Sequence, residues 1–168
     1  MVEQKTLSEA EKIAADAGVK VVDRDLERPW GGFLVFGESE VREFATAFFP
    51  KLELPGDDLK RSPKLLIVGP GERLSWQFHH RRSEHWHVLR GPVGVAVSET
   101  DDEVEPRVLQ EGEEVEIVQG ERHRLIGLDS WGIVAEIWTH TDPEHPSDED
   151  DIVRLADDYA RETPAESA

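Results

Sequence analysis

Four of the seven histidines, His79, His80, His85 and His87, crowd into nine residues, with Gln77 and Glu84 among them. On an extended strand Gln77 and His79 project from the same face, being two apart. The polar run His80 to Ser83 suits a turn. Glu84, Trp86 and Val88 then alternate on a return strand. Such a hairpin brings an amide oxygen, an imidazole and a carboxylate to one point, a donor set suited to a borderline or hard divalent ion. Three ligands leave a vacancy, and a second stretch can fill it. From Gly112 the chain reads GEEVEIVQGERHRLIG. A strand from Glu114 to Val118 meets a Gln119-Gly120 turn, and His123 follows on the return strand, placed to project inward. Gln77, His79, Glu84 and His123 can therefore converge on one divalent ion.

Short strands must position these groups. They read as Leu65–Val68, Leu74–Phe78, Glu84–Leu89, Val93–Val97, Arg107–Leu109, Val115–Val118, Arg122–Ile126 and Ile133–Trp138. Gly and Pro between them point to an all-β jelly-roll barrel. Peripheral helices are predicted over residues 1–17, with Ser8 as a cap, and over Glu38 to Phe49, ended by Pro50. Gly56-Asp57-Asp58 marks a turn. A third helix is predicted from Ser147 through Arg161, with acids in its first turn and Arg154 and Arg161 on one face. Leu74, Trp76 and Phe78 form an apolar face that needs a cover, either the helix near residues 41–49 or a second subunit. Trp30, in the turn-forming RPWGGF, either plugs the barrel end or lines a pocket.

The spacing carries a resemblance. Gly71, Gln77, His79, Glu84 and Gly91 match the first cupin motif, with Gln in place of its first His. Gly112, Val118-Gln119-Gly120, His123 and Gly127 match the second, with Val118 where proline is usual and Gly127 where asparagine is usual. RPWGGF, SPKLLIV, PGERLSWQFHHRRSEHW, GERHRL and EDDIVRLADDYAR occur in that order, and together they resemble the type II mannose-6-phosphate isomerase domain. That domain also forms the C-terminal part of bifunctional mannose-1-phosphate guanylyltransferases. The resemblance implies a cupin barrel over residues 28–161, an arm over 1–27 and a tail over 162–168. It implies Zn²⁺ as the ion, although Mn²⁺, Fe²⁺, Co²⁺ or Ni²⁺ accept the same ligands. It further implies a homodimer and the interconversion of mannose 6-phosphate and fructose 6-phosphate through an enediol, a step toward nucleotide sugars. Ala156 and Ala160 depart from the family's last motif, and the link from Trp138 to Glu149 is longer than usual. Nothing here resembles the glycine-rich nucleotide loop of the bifunctional enzymes, so GDP-mannose synthesis is not expected of this stretch.

A phosphate-bearing substrate needs cations, and no glycine-rich phosphate loop is present. Lys64, Arg73, Arg82, Arg122 and Arg154 are the candidates, with Lys64 and Arg154 favoured because they lie inside matched motifs. Arg154 could instead steady the enediolate. The base is expected to be Glu84 or the turn residue His80. His85 and His87 fall on the opposite face of the strand, and His140 and His145 are loop residues. Other cupin sugar-phosphate isomerases or epimerases, a metal-dependent oxygenase and a non-catalytic sugar-binding cupin are the competing classes.

Composition narrows the field. The chain has 168 residues, enough for one domain with a sizeable core. The absence of cysteine excludes thiolate metal sites and disulfides. Thirty-seven acids against 19 bases give a net charge of -18, which disfavours nucleic acid and keeps a surface hydrated, as in halophilic proteins. No apolar run approaches a membrane span, and the N-terminus lacks an apolar signal core, so a cytoplasmic protein is expected.

Overall fold

The computed structural model describes residues 1–54 and 60–164, so the expected Gly56-Asp57-Asp58 turn lies outside the described residues. Among the described residues, eleven strands form two antiparallel sheets, the cupin jelly roll. The larger sheet runs β1 (Val21–Arg28), β2 (Gly31–Phe36), β3 (Arg61–Val68), β10 (Gly132–His140), β5 (Arg82–Arg90) and β8 (Glu114–Ile117). The smaller runs β11 (Val153–Ala156), β4 (Trp76–Phe78), β9 (Arg122–Gly127), β6 (Val93–Ser98) and β7 (Arg107–Leu109). Two α-helices, α1 (Gln4–Asp16) and α2 (Val41–Phe48), the second preceded by a 3-10 turn at Glu38–Glu40, are present among the described residues. No helix among the described residues is long and apolar enough to cross a membrane.

The larger sheet is covered on both faces, which is why SPKLLIV reads as an apolar run rather than an alternation. Leu66 and Val68 point inward with Trp30, Phe33, Trp86, Val88 and Val134, meeting Leu74, Val93, Val95 and Leu125 of the smaller sheet. Leu65 and Ile67 point outward with Ile133, Ala135 and Ile137, under Ala10 and Ala14 of α1 and Phe44 and Phe48 of α2. Residues 1–27, expected as an arm, thus supply a packed helix and an edge strand to the same body. The N-cap position of α1 is Glu3, whose carboxylate accepts the Thr6 hydroxyl. Ser8 lies inside the helix and caps nothing.

The sequence reading fails most clearly after residue 147. The expected helix is absent, and Val153–Ala156 is a strand that pairs with β4. The β-branched pair Ile152-Val153 suits a strand, and the lone β4 edge needs a partner, so long-range pairing overrides the acidic helix-start pattern. Helix α2 covers the outer face of the larger sheet, not the apolar side of the first motif strand. Trp76 is instead paired with Ala156 of β11, and its indole donates to the Asp101 carbonyl at 2.8 Å.

Two glycines have steric reasons. Glu121 N donates to the Val118 carbonyl at 3.0 Å, closing a turn that holds Gly120 at φ 83°. That turn launches His123. At Gly127, a Cβ would lie 1.8 Å from the Gly69 carbonyl oxygen, so the asparagine usual at this motif position has no room.

Candidate metal centre

Both sheets contribute. Gln77 on β4 stands opposite His123 on β9, which puts the two motifs side by side in the smaller sheet. Glu84 reaches the same point from β5 of the larger sheet, where it stands between Trp138 and Ile117. His79, Glu84 and His123 are buried, and their ligating atoms lie within 4.8 Å of one another. His79 Nε2 is 3.2 Å from Glu84 Oε1 and 3.2 Å from His123 Nε2, and His123 Nε2 is 3.6 Å from Glu84 Oε2.

The hydrogen bonds fix the tautomers. His79 Nδ1 is 2.6 Å from the Asp151 carbonyl, and His123 Nδ1 is 3.0 Å from the Glu121 carbonyl. A carbonyl only accepts, so each Nδ1 carries the proton. Both Nε2 lone pairs then face each other and a carboxylate, an arrangement that calls for a cation, and the Arg82 guanidinium lies against it in this structure. Metal-binding histidines characteristically anchor their second nitrogen in this way. Tetrahedral bonds of about 2.1 Å place ligand atoms roughly 3.4 Å apart, which lies between the 3.2 and 3.6 Å seen. The residues therefore fit a divalent ion in both chemistry and spacing. Gln77 lies beside them with its Oε1 accepting from Ser75 Oγ at 2.5 Å.

Arg82 was expected at most as a phosphate ligand, yet it sits in the middle of this set. Its Nε donates to Glu84 Oε1 at 2.9 Å and its Nη2 to His79 Nε2 at 3.1 Å, while its plane lies 3.4 Å over Trp138. Burial works to raise the Glu84 carboxyl, but the Arg82 charge with His123 and His79 holds it well below the ordinary carboxylate range. Burial pushes His123 down to about 4, and burial with the Arg82 charge lowers His79. Both imidazoles are thus neutral at pH 7, as ligands must be.

A cavity of about 160 Å³ opens beside the set, walled in part by Gln77, Glu84, Trp30, Lys64, Glu136 and Arg154. Trp30 is both a core residue and a cavity wall. Lys64 is buried, its ammonium 3.9 Å from the Trp138 ring and 4.6 Å from the Phe33 ring. Arg154 and Arg161 both line the cavity, though from a strand and the segment after it rather than from one helix face.

Other expected residues lie elsewhere. His80 is exposed, its ring edge-on to Phe78, and it does not line the cavity. The Asp151 carboxylate takes the backbone amides of His80 and Arg81 at 2.9 and 3.0 Å, and this turns the His80 side chain outward. Arg73 forms a paired contact with Asp158 at 2.6 and 2.8 Å away from the cavity. Arg122 bonds Asp101 and lies over Phe78. His85 and His87 lie on the outer face, where His87 Nδ1 donates to the Phe48 carbonyl at 2.5 Å. His140 bonds Ser62 and His145 pairs with Asp142.

Glu136 was not foreseen. It sits on the cavity wall with Oε2 accepting from Trp86 Nε1 at 2.8 Å and Oε1 from Trp138 Nε1 at 2.7 Å. The Trp86 indole is shared with Glu84 Oε2 at 3.0 Å, so the two carboxyls are neighbours. Burial and the Glu84 charge push Glu136 well above the ordinary range, against Lys64 and Arg82. The signal was available: a single acid inside the apolar strand Ile133–Trp138 must be buried on either face.

Comparison with known proteins places this geometry. The family model described as mannose-6-phosphate isomerase C-terminal matches residues 57–157. The mannose-1-phosphate guanylyltransferase of Escherichia coli strain K12 is 31% identical over 145 residues, covering 83% of this chain and 24% of that protein. ManC, the mannose-1-phosphate guanylyltransferase of Salmonella typhimurium, is 31% identical over 157 residues, covering 90% and 26%. The chain thus spans about a quarter of the length of these curated relatives. Among solved structures, the capsular polysaccharide assembling protein CapF from Staphylococcus aureus superposes with a TM-score of 0.52 at 21% identity, over 80% of this chain and 34% of that one. KdgF from Halomonas gives 0.51 at 14% identity, over 76% and 89%. These two likenesses establish the fold alone.

Proposed function

Because the chain belongs to the mannose-6-phosphate isomerase C-terminal family, we propose that it is a metal-dependent aldose–ketose isomerase interconverting mannose 6-phosphate and fructose 6-phosphate. The observation that carries the reading is the His79–Glu84–His123 triangle beside a cavity that also presents Lys64 and Arg154. The relatives' names speak of mannose phosphates, which supports the sugar.

The aldose and the ketose share an enediol, so the reaction moves one proton between C1 and C2. His79, Glu84 and His123 would hold the divalent ion, with Gln77 alongside, and the ion would supply electrostatic stabilisation of the developing oxyanion. Glu136 is the second buried carboxyl of the cavity, and burial with the Glu84 charge favours its protonated form. A buried carboxyl shifted upward in this way is suited to general acid–base work. This supports assigning the proton transfer to the Glu84–Glu136 pair rather than to His80, which does not line the cavity. Lys64 and Arg154 hold the phosphate. Turnover in deuterium oxide should place solvent deuterium at C2 of mannose 6-phosphate, and its complete absence would replace proton transfer with a hydride shift or a shielded proton.

One observation favours a second reading, a non-catalytic sugar-binding cupin. Arg82 already bonds both His79 Nε2 and Glu84, so the cluster is partly satisfied from within. Sugar-phosphate binding without turnover by metal-loaded protein would select that reading.

A further inference from the structure

The ammonium of Lys64 is among the most enclosed charges of the cavity, its side chain 6% exposed. A buried lysine needs an anionic partner. Its partner is Glu149, whose side chain is 54% exposed and comes from the irregular segment between β10 and β11. The pairing is lopsided: the cation is fixed between the Phe33 and Trp138 rings, while the anion enters from solvent at the cavity mouth.

The other cations of the cavity have carboxylates from their own surroundings. Arg28 pairs with Asp25, Arg82 with Glu84 and Arg161 with Asp157. Arg154 differs. Its Nη1 donates to the Glu162 carbonyl at 2.6 Å, and its Nε is buried with no hydrogen-bond partner. Among the described residues no carboxylate is paired with it. Asp157 and Asp150 act on Arg154 only at longer range, and a cavity guanidinium with no carboxylate in contact is an open anion position in a chain of net charge -18.

We propose that the Glu149 carboxylate occupies an anion subsite in the ligand-free chain, and that an incoming phosphate monoester displaces it and takes Lys64 and Arg154 as its ligands. The inference rests on the sugar-phosphate reading and adds to it the group that occupies the phosphate site in the ligand-free chain. A phosphate is the fitting replacement: it carries nearly two charges and three acceptor oxygens, enough to serve an ammonium and a guanidinium together. The single carboxylate of Glu149 serves only the first. Displacement sends Glu149 into water, where its half-exposed position leaves little to desolvate.

Calorimetric titration of the metal-loaded chain with inorganic phosphate, mannose 6-phosphate and mannose tests this directly. Both phosphates should bind, and mannose should bind far more weakly than mannose 6-phosphate. Glu149→Gln removes the internal competitor and should tighten inorganic phosphate about fivefold, the scale of a half-exposed ion pair. Lys64→Met in the Glu149→Gln background should weaken it by at least about tenfold, the scale of a lost charge-assisted contact. Glu149 lies on an exposed segment, so its substitution reads the subsite even if Lys64→Met disturbs folding. Phosphate affinity unchanged or weakened in Glu149→Gln would overturn the proposal. Inorganic phosphate binding needs no turnover, so the outcomes separate: tighter phosphate without isomerase activity keeps the subsite and removes the isomerase, and the converse removes the subsite alone.

Discussion

Acid should weaken the metal-free fold in a window set by one buried imidazole. His123 is pushed down to about 4 from the ordinary 6.5, chiefly by burial. Between those values the unfolded chain binds a proton that the folded chain refuses. Stability therefore falls as pH falls through 6.5 toward 4, and is restored above. The full gap corresponds to about 3 kcal/mol, and roughly 2 kcal/mol of it is lost by about pH 5. His79 shifts in the same direction, also through burial. Glu84 is held low, so its contribution persists above the ordinary 4.5 and is lost only in stronger acid. Glu136 is raised, so acid favours its folded neutral form and opposes the trend. A variant must isolate the histidine. Chelator-treated protein would be unfolded in guanidinium at about pH 7 and pH 5, followed by the fluorescence of its five tryptophans. His123→Gln should lose about 2 kcal/mol less than the native chain between the two conditions. Equal losses in the two proteins would refute the claim that the site holds His123 neutral.

Other perturbations have equally definite outcomes. Gly127→Asn should destabilise by about 3 kcal/mol, read as a lowered thermal midpoint, because its Cβ would meet the Gly69 carbonyl oxygen at 1.8 Å. Glu136→Gln should lower kcat by about 10²–10³-fold, with metal content unchanged, if that carboxyl carries the proton; unchanged kcat would return the task to Glu84. His79→Ala should abolish metal retention on a desalting column. Gln77→Ala should retain the ion with affinity reduced about tenfold, as expected for a weak or outer ligand.

The grouping of His79, Glu84 and His123 beside Gln77 was legible because two local rules bring them together. Strand alternation sets Gln77 with His79, and the Gly120 turn sets His123 on the facing strand. What escaped depended on distant partners. Strand β11 exists because β4 lacks a neighbour on that side, and nothing near Val153 reports this. The outward turn of His80 depends on a carboxylate 71 residues away. Arg82 could be read as basic but not as buried, since its place depends on Trp138 from a strand far along the chain. Glu136 is the instructive omission, since an acid in a buried apolar strand signals itself without any partner.

The central claim is that His79, Glu84 and His123 grip one divalent ion and that the ion makes the cavity an isomerase. The most direct measurement follows fructose 6-phosphate formation from mannose 6-phosphate with one preparation, first stripped by chelator and then reloaded with zinc, with bound metal counted on each sample. Turnover only in the reloaded sample, rising to a plateau at one ion per chain, is the expected result. Full turnover after complete metal removal, or a fully loaded protein inert toward mannose 6-phosphate, would contradict it.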